Sequence, residues 1–212
     1  MTVIELTSSI CKKWLLEKHY AKRMPPINVA FGVMVEKRLQ GVCTFAIPAS
    51  RFSFSKQPYE LNRLVTNDDL PKNTLSFFVG KALQMFPEPS IIVSYADENY
   101  GHHGYIYQAT NWIYTGRSSA EKRVFLDGKE LHRRTLYDKY GTSSIPKLKD
   151  MGFDVEVKKQ LGKYRYFQTT GDKSDKRKFK KEILEKYDEL PYPKGENQNY
   201  DSGEPIKQRL FY

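Results

Sequence analysis

Cysteine is scarce in this chain, with Cys11 and Cys43 the two examples among 212 residues. Two thiols are too few for a disulfide framework, and neither sits in a Cys-x-x-Cys spacing, so a reducing cytoplasm fits better than a secreted, cystine-stapled design. Long apolar runs are missing too. No stretch approaches the roughly 20 residues that a membrane span needs, and the amino terminus has neither the basic start with an apolar stretch nor the small-residue cleavage site of a secretion signal. No Walker loop, Rossmann fingerprint or nucleophile elbow is present. Four histidines occur, His19, His102, His103 and His132, and none is spaced from another as helix-borne metal ligands would be. Acidic residues are outnumbered, 25 against 35 Lys and Arg, which leaves a net charge of +10 and a pI near 9.4. A basic surface attracts a polyanion by releasing its condensed counterions, so nucleic acid is the obvious partner.

The stretch IIVSYADENYGHHGYIYQATNWIYTG, residues 91–116, organises the rest. Ile91, Ile92 and Val93 form a short apolar run that reads as a buried strand, which places Asp97 at its carboxyl end, where open α/β sheets keep their ligands. Asp97 is therefore the first functional candidate, as a general base, a receiver of a substrate amine, or simply an N-cap for the segment that follows.

An edge strand is expected at 4–6 and an amphipathic helix from 9 to about 20, stopped by Pro25 and Pro26. His19 and Tyr20 then lie at a helix end beside a rigid turn, either aimed into a site or closing their own helix. Residues 29–36 and 42–47 read as a hairpin turning at Gln40 and Gly41. A strand at 59–66 carries Arg63 on a face with apolar neighbours, in an ion pair or as a ligand. Leu75, Phe78, Val79, Ala82, Leu83 and Phe86 give one apolar helical face, and strand, helix and strand form a right-handed crossover with parallel strands. Further on, a short helix is expected at 105–112, a hairpin about Asp127 and Gly128, helical segments at 135–140 and 144–152, and strands at 154–158 and 164–169. The fold class is α/β or α+β with a mixed sheet, and 1–170 form the main domain.

From 171 to 212 the composition shifts to a basic helix, capped by Ser174, and a tail rich in Pro, Gly and Asn that composition marks as mobile. Lys158, Lys159, Lys163 and Arg165 precede Lys176, Arg177, Lys178, Lys180 and Lys181, with Tyr164, Tyr166, Phe167 and Phe179 interleaved. That density of one sign among aromatic rings points to a phosphate-tracking surface.

The element order resembles the GNAT N-acetyltransferase fold. More specifically, HYAKRMP at His19, AFGV at Ala30, GVCTFAIPAS at Gly41, ELNRLV at Glu60, NTLSFF at Asn73, IVSYAD ending at Asp97, GHHGYIYQATNWIYTG at Gly101 and HRRTLYDKYGTSS at His132 resemble the bacteriophage Mom proteins. The resemblance implies modification of adenine N6 in double-stranded DNA with a carbamoylmethyl-type group, as protection from host restriction, in the host cytoplasm. It also implies acetyl-CoA or a related cofactor, and iron. By motif, His19, Tyr20, Asp97 and Tyr107 would be the metal or catalytic set, with Arg63 at the catalytic site. Ser76 with Lys72 and Asn73 would hold the cofactor. The turn before the long helix, residues 66–72, departs from the acetyltransferase pattern by having no glycine and two acids, Asp68 and Asp69. A homodimer is left open. The alternatives are an acetyl-CoA-dependent N-acetyltransferase acting on a small amine or a protein, and a DNA-binding protein without catalysis.

Overall fold

The computed structural model describes residues 1–131, 133–195 and 205–208. His132 and most of the tail expected to be mobile, 196–204 and 209–212, lie outside the described residues. The chain folds as two compact units, one of Met1–Gly116 with Tyr164–Tyr212 and one of Arg117–Lys163.

The larger unit is built on a seven-stranded mixed sheet in the order β1-β2-β3-β4-β5-β10-β6. Its strands are β1 (Thr2–Glu5), β2 (Val29–Val35), β3 (Arg38–Ala46), β4 (Tyr59–Thr66), β5 (Ile91–Ala96), β6 (Ile113–Arg117) and β10 (Tyr164–Thr169). Alternation along β5 sorts the layers. Ile92 and Ala96 pack with Phe78, Val79, Ala82 and Phe86 around α2 (Thr74–Gln84) and with Tyr107 of α3 (Tyr105–Ala109). Ile91 and Val93 point to the other face, onto Phe179 and Ile183 of α6 (Lys173–Leu184). Each large apolar side chain buried in this way contributes about 1.5–3 kcal/mol. The mixed α/β class and the parallel pairing of β4 with β5 match the sequence pattern.

Several local expectations shift. The first helix is α1 (Ser8–Lys13) followed by a π-helical turn, Trp14–Lys18, and it ends before His19 rather than at Tyr20. The β2–β3 hairpin turns at Glu36 and Lys37, both left-handed with φ of 50° and 61°, and not at Gln40 and Gly41. Gly41 serves a close approach instead, since a Cβ there would fall 2.5 Å from Thr66 Cγ2. The α6 cap is Asp172 and not Ser174. Its side chain accepts from the Asp175 N–H, and Asp175 returns the bond to the Asp172 N–H, a reciprocal capping box.

The edge strand β6 is covered by the segment after α6, with the Leu190 N–H donating to Tyr114 O and the Tyr192 hydroxyl to Trp112 O. Farther along, Ile206 is buried among Trp14, Leu39 and Val42, and its N–H and C=O are both met by the Asn67 side chain.

The smaller unit has a three-stranded antiparallel sheet, β8-β7-β9, from β7 (Glu121–Leu126), β8 (Lys129–Leu131) and β9 (Val155–Gln160). Helices α4 (Arg133–Tyr140) and α5 (Ile145–Asp150) contribute Leu136 and Leu148 to its core with Val124, Leu126 and Val155. Its two ends are held together by Ser118 N–H to Lys163 O, 2.8 Å, and Lys163 N–H to Ser118 Oγ, 3.0 Å. Among the described residues, no helix is long and apolar enough to cross a membrane.

Candidate active site

Parallel pairing of β4 and β5 lasts for two registers, Tyr59 with Ile92 and Glu60 with Val93, and then the ladder stops. Past it, Ser94 Oγ takes over the connection: it lies 2.8 Å from Leu61 O and 2.7 Å from the Tyr107 hydroxyl. A carbonyl accepts only, so Ser94 donates to Leu61 and one side chain replaces the missing ladder bond. The strands open beyond this point, and Arg63 of β4 and Asp97 at the end of β5 belong to the opened stretch.

The π-helical turn supplies the next residues. The His19 N–H donates to Trp14 O, five residues back, while Trp14 is anchored by its Nε1–H on Gln208 Oε1. The helix thus carries one extra residue per turn at its end, a device that re-aims side chains. His19 is buried, and its ring centroid lies 4.3 Å from that of Tyr20. Tyr20 in turn lies 4.5 Å from Tyr100 and is stacked 5.7 Å from His102. Lys18, the preceding residue, is buried and reaches Asp68 Oδ2 at 3.2 Å, so one of the two acids before α2 is neutralised by a cation from the same turn.

Asp97 is 4% exposed, and its Oδ1 accepts from the N–H and the Nδ2 of Asn99. It does cap the short turn Glu98–Tyr100. Burial pushes the Tyr20 phenol up, with the Asp97 charge adding to it, and Arg63 acts in the opposite direction. Burial, together with Arg63 and His102, lowers His19 to about 3, so its imidazole is neutral. His102 is lowered as well, chiefly by burial and against the pull of Asp97. The Arg63 guanidinium is lowered by burial, and its Nε is buried without a hydrogen-bond partner. One neighbourhood therefore holds His19, Tyr20, Arg63 and Asp97, together with Tyr100 and His102, which pattern reading did not select. Their signal is faint: they flank a glycine-bearing reversal, Gly101 at φ 71°, whose course no periodicity encodes.

Tyr107 sits deeper, its ring 4.9 Å from Trp112 and 5.1 Å from Tyr166, and its hydroxyl is tied to Ser94. Burial drives its acidity far down, so it stays a neutral phenol. Of the four expected metal residues, His19, Tyr20 and Asp97 share the neighbourhood just described, with the Ala21 N–H on His19 Nδ1 at 3.1 Å, while the Tyr107 hydroxyl is engaged by Ser94. Among the described residues, no group of three His, Cys, Asp or Glu side chains is placed to hold a metal.

At the start of α2, Asn73 is left-handed with φ 66° and makes no side-chain cap, Lys72 is exposed, and Ser76 Oγ turns back to Asn73 O at 3.0 Å. An uncapped first turn suits a phosphate, and the Lys18–Asp68 pair removes part of the acidic objection to an acetyl-CoA pyrophosphate there.

The basic residues divide. Lys158, Lys159 and Lys163 belong to the smaller unit, with Lys158 3.3 Å from Glu156. Arg165 is engaged internally: its Nε–H donates to Thr115 Oγ1 and an Nη to Thr115 O, and its guanidinium covers the Tyr187 ring at 4.1 Å. Lys176, Arg177, Lys178, Lys180 and Lys181 lie exposed on α6, with Lys180 and Lys181 in loose pairs to Glu189 and Glu185 at 3.7 and 3.8 Å.

Fold and site define a mixed α/β protein with a buried polar cluster at the mouth of an opened parallel strand pair. The chain belongs to the Mom protein family, whose model matches residues 1–194. It is 30% identical over 135 residues to a protein of Escherichia phage Mu named methylcarbamoylase mom, covering 56% of this chain and 54% of that protein. The chain thus spans about half the length of the curated relative it matches.

Proposed function

We propose that this protein is a DNA-modifying transferase that attaches a carbamoylmethyl-type group to adenine N6 in duplex DNA, in the host cytoplasm, where the mark shields phage DNA from restriction. Its similarity to a phage protein named a methylcarbamoylase supports the reaction class. The observation that carries the reading is the gathering of Asp97, Arg63, Tyr20 and His19 where β4 and β5 part.

In this reading the exocyclic amine attacks the methylene carbon of an activated carbamoylmethyl donor, the donor's leaving group departs with the electron pair of the bond it breaks, and the amine gives up a proton. The Asp97 carboxylate takes it, fixed in orientation by the two Asn99 donors. Arg63, half-buried with an unmet Nε–H, orients an oxygen of the donor or of the phosphodiester. Ser94 bridges the two strands where the ladder ends, and Tyr107 backs it, so together they set the floor. Lys72, Asn73 and Ser76 would hold the phosphates of acetyl-CoA or a relative at the first turn of α2, a group that would supply a two-carbon unit as its thioester when bound. His19, Tyr20, Asp97 and Tyr107 would be the residues to hold an iron, which would supply redox chemistry when bound, and no step here runs through it. The exposed lysines of α6 hold the DNA backbone.

The test is mass spectrometry of nucleosides from plasmid DNA after expression of this chain, beside an Asp97→Ala control. A modified deoxyadenosine that vanishes in the control, with DNA affinity kept within about twofold, is the expected result. Unmodified DNA from abundant folded protein overturns the reading, and turnover of acetyl-CoA without DNA would then favour an N-acetyltransferase.

A further inference from the structure

Asp97 is 4% exposed, so its carboxylate cannot reach an amine that is still stacked inside a duplex. An adenine treated there has to leave the stack first, and something has to hold its place open. The loop 22–26, Lys-Arg-Met-Pro-Pro, runs between two parts of the reactive cluster and has the composition for that task.

Both of its ends are pinned. On the amino side the Lys22 N–H donates to His19 O at 2.9 Å, and the Ala21 N–H to His19 Nδ1 at 3.1 Å. On the carboxyl side Pro26 O accepts from Asn62 Nδ2 at 3.0 Å, and Asn62, the neighbour of Arg63 on β4, accepts at Oδ1 from the Thr44 hydroxyl at 2.6 Å. Lys22 is left-handed with φ 43°, while Pro25 and Pro26 fix their own φ and bias the residue before each of them toward extended backbone. The tip is therefore preorganised, and bringing it against a partner orders little that was loose. What it presents is an apolar side chain beside cations: Met24 is 40% exposed, and Lys22 and Arg23 are exposed as well. Met151 is more exposed, at 54%, yet it stands between Asp150 and Gly152, with neither a cation nor a proline next to it. The Arg23 charge acts on both the Tyr20 phenol and the Arg63 guanidinium, so the loop tip belongs to the neighbourhood of the cluster.

An unbranched, polarizable thioether fits between base faces, and apolar wedges of this kind stand in for a base that has been unstacked. Cations next to such a wedge meet the phosphates on either side of the opened step. We propose that the loop 22–26 is a wedge that enters the duplex beside the target adenine, with Met24 filling the vacated place in the stack and Lys22 and Arg23 on the flanking phosphates. The inference rests on the DNA-modifying reading and deepens it by naming what opens the duplex so that the amine comes within reach of Asp97. The histidine that lies against Tyr20 also ties down the wedge, so the emptied position and the reactive groups keep a fixed spacing.

The experiment uses the full chain, first in the plasmid nucleoside assay and then on a short duplex copied from a modified site, with 2-aminopurine in place of the modified adenine. Met24→Ala should lower the yield of modified deoxyadenosine about tenfold, and Met24→Leu, which keeps an apolar wedge, should stay within about twofold of wild type. Both variants should melt close to wild type, because the side chain is exposed. At saturating protein the wild-type chain should raise 2-aminopurine emission. Met24→Ala should lose most of that rise on the paired duplex and regain it when the opposite position is abasic, since unpairing is then already done. Lys22→Gln combined with Arg23→Gln should weaken duplex binding about threefold or more. A wild-type emission rise in Met24→Ala, or a loss that the abasic partner does not relieve, overturns the wedge and leaves the DNA reading standing. Unchanged affinity in the double variant overturns the phosphate contacts. Absence of modified deoxyadenosine from cells making abundant folded wild-type protein overturns the DNA reading, and the wedge with it.

Discussion

Arg63 and the lysines of α6 carry the same charge in opposite settings. The guanidinium is half-buried beside Tyr20, with one nitrogen unmet, whereas Lys180 and Lys181 hold loose pairs in water. Pairs of the second kind contribute about 0.2–1 kcal/mol, and salt screens them. A cation taken partly out of water has far fewer ways to relax, so its partner matters more. The basic composition is therefore two things at once: lysines left in water on α6, and cations drawn out of it, Lys18 on Asp68 and Arg63 beside Tyr20. Net charge reports the first and hides the second.

This contrast can be broken most sharply at Arg63. Arg63→Met should lower adenine modification by about a hundredfold or more while DNA affinity stays within about twofold. An equal loss of affinity would make Arg63 one more member of the general field. Next comes the histidine that the same burial keeps neutral. The unfolded imidazole titrates near 6.5 and the folded one near 3, so between those values the unfolded chain binds the extra proton. Stability that is complete above pH 6.5 is lost as the pH falls toward 3, at no more than about 1.4 kcal/mol per pH unit. His19→Gln should flatten that slope in denaturant titrations at pH 7, 5 and 4, and an unchanged slope would assign the acid sensitivity to other groups. The smallest expected effect on the fold comes from the field itself. Reversing Lys176, Arg177 and Lys178 to Glu should weaken duplex binding about tenfold or more and make its salt dependence shallower. The melting temperature should move by only a few degrees, because all three side chains are exposed. An unaltered salt slope would move the DNA surface away from α6.

Asp97 was legible before any coordinates, because an apolar run that stops at a carboxylate marks a strand end whatever surrounds it. Arg63 was half legible: alternation put it on an apolar face, and only the parting of β4 from β5 explains why it tolerates that place. Tyr100 and His102 were not legible as site residues, since a loop reversal rather than a period brings them to Tyr20. The hairpin turn was misplaced for a related reason. Glycine usually supplies left-handed backbone, and here Glu36 and Lys37 adopt it while Gly41 makes room for Thr66. At α6, Ser174 and Asp172 are both cap-forming residues, and the reciprocal bond with Asp175 decides between them.

The paired bonds between Ser118 and Lys163 give the stretch Arg117–Lys163 the character of a cartridge: chain enters and leaves through one gate. Lengthening or replacing what lies inside such a gate adds little closure entropy, because that term grows only with the logarithm of length. The strands on either side of it in sequence, β6 and β10, keep their own partners in the large sheet. Evolution can therefore rewrite the length and sequence of this segment while the strands that flank it stay paired.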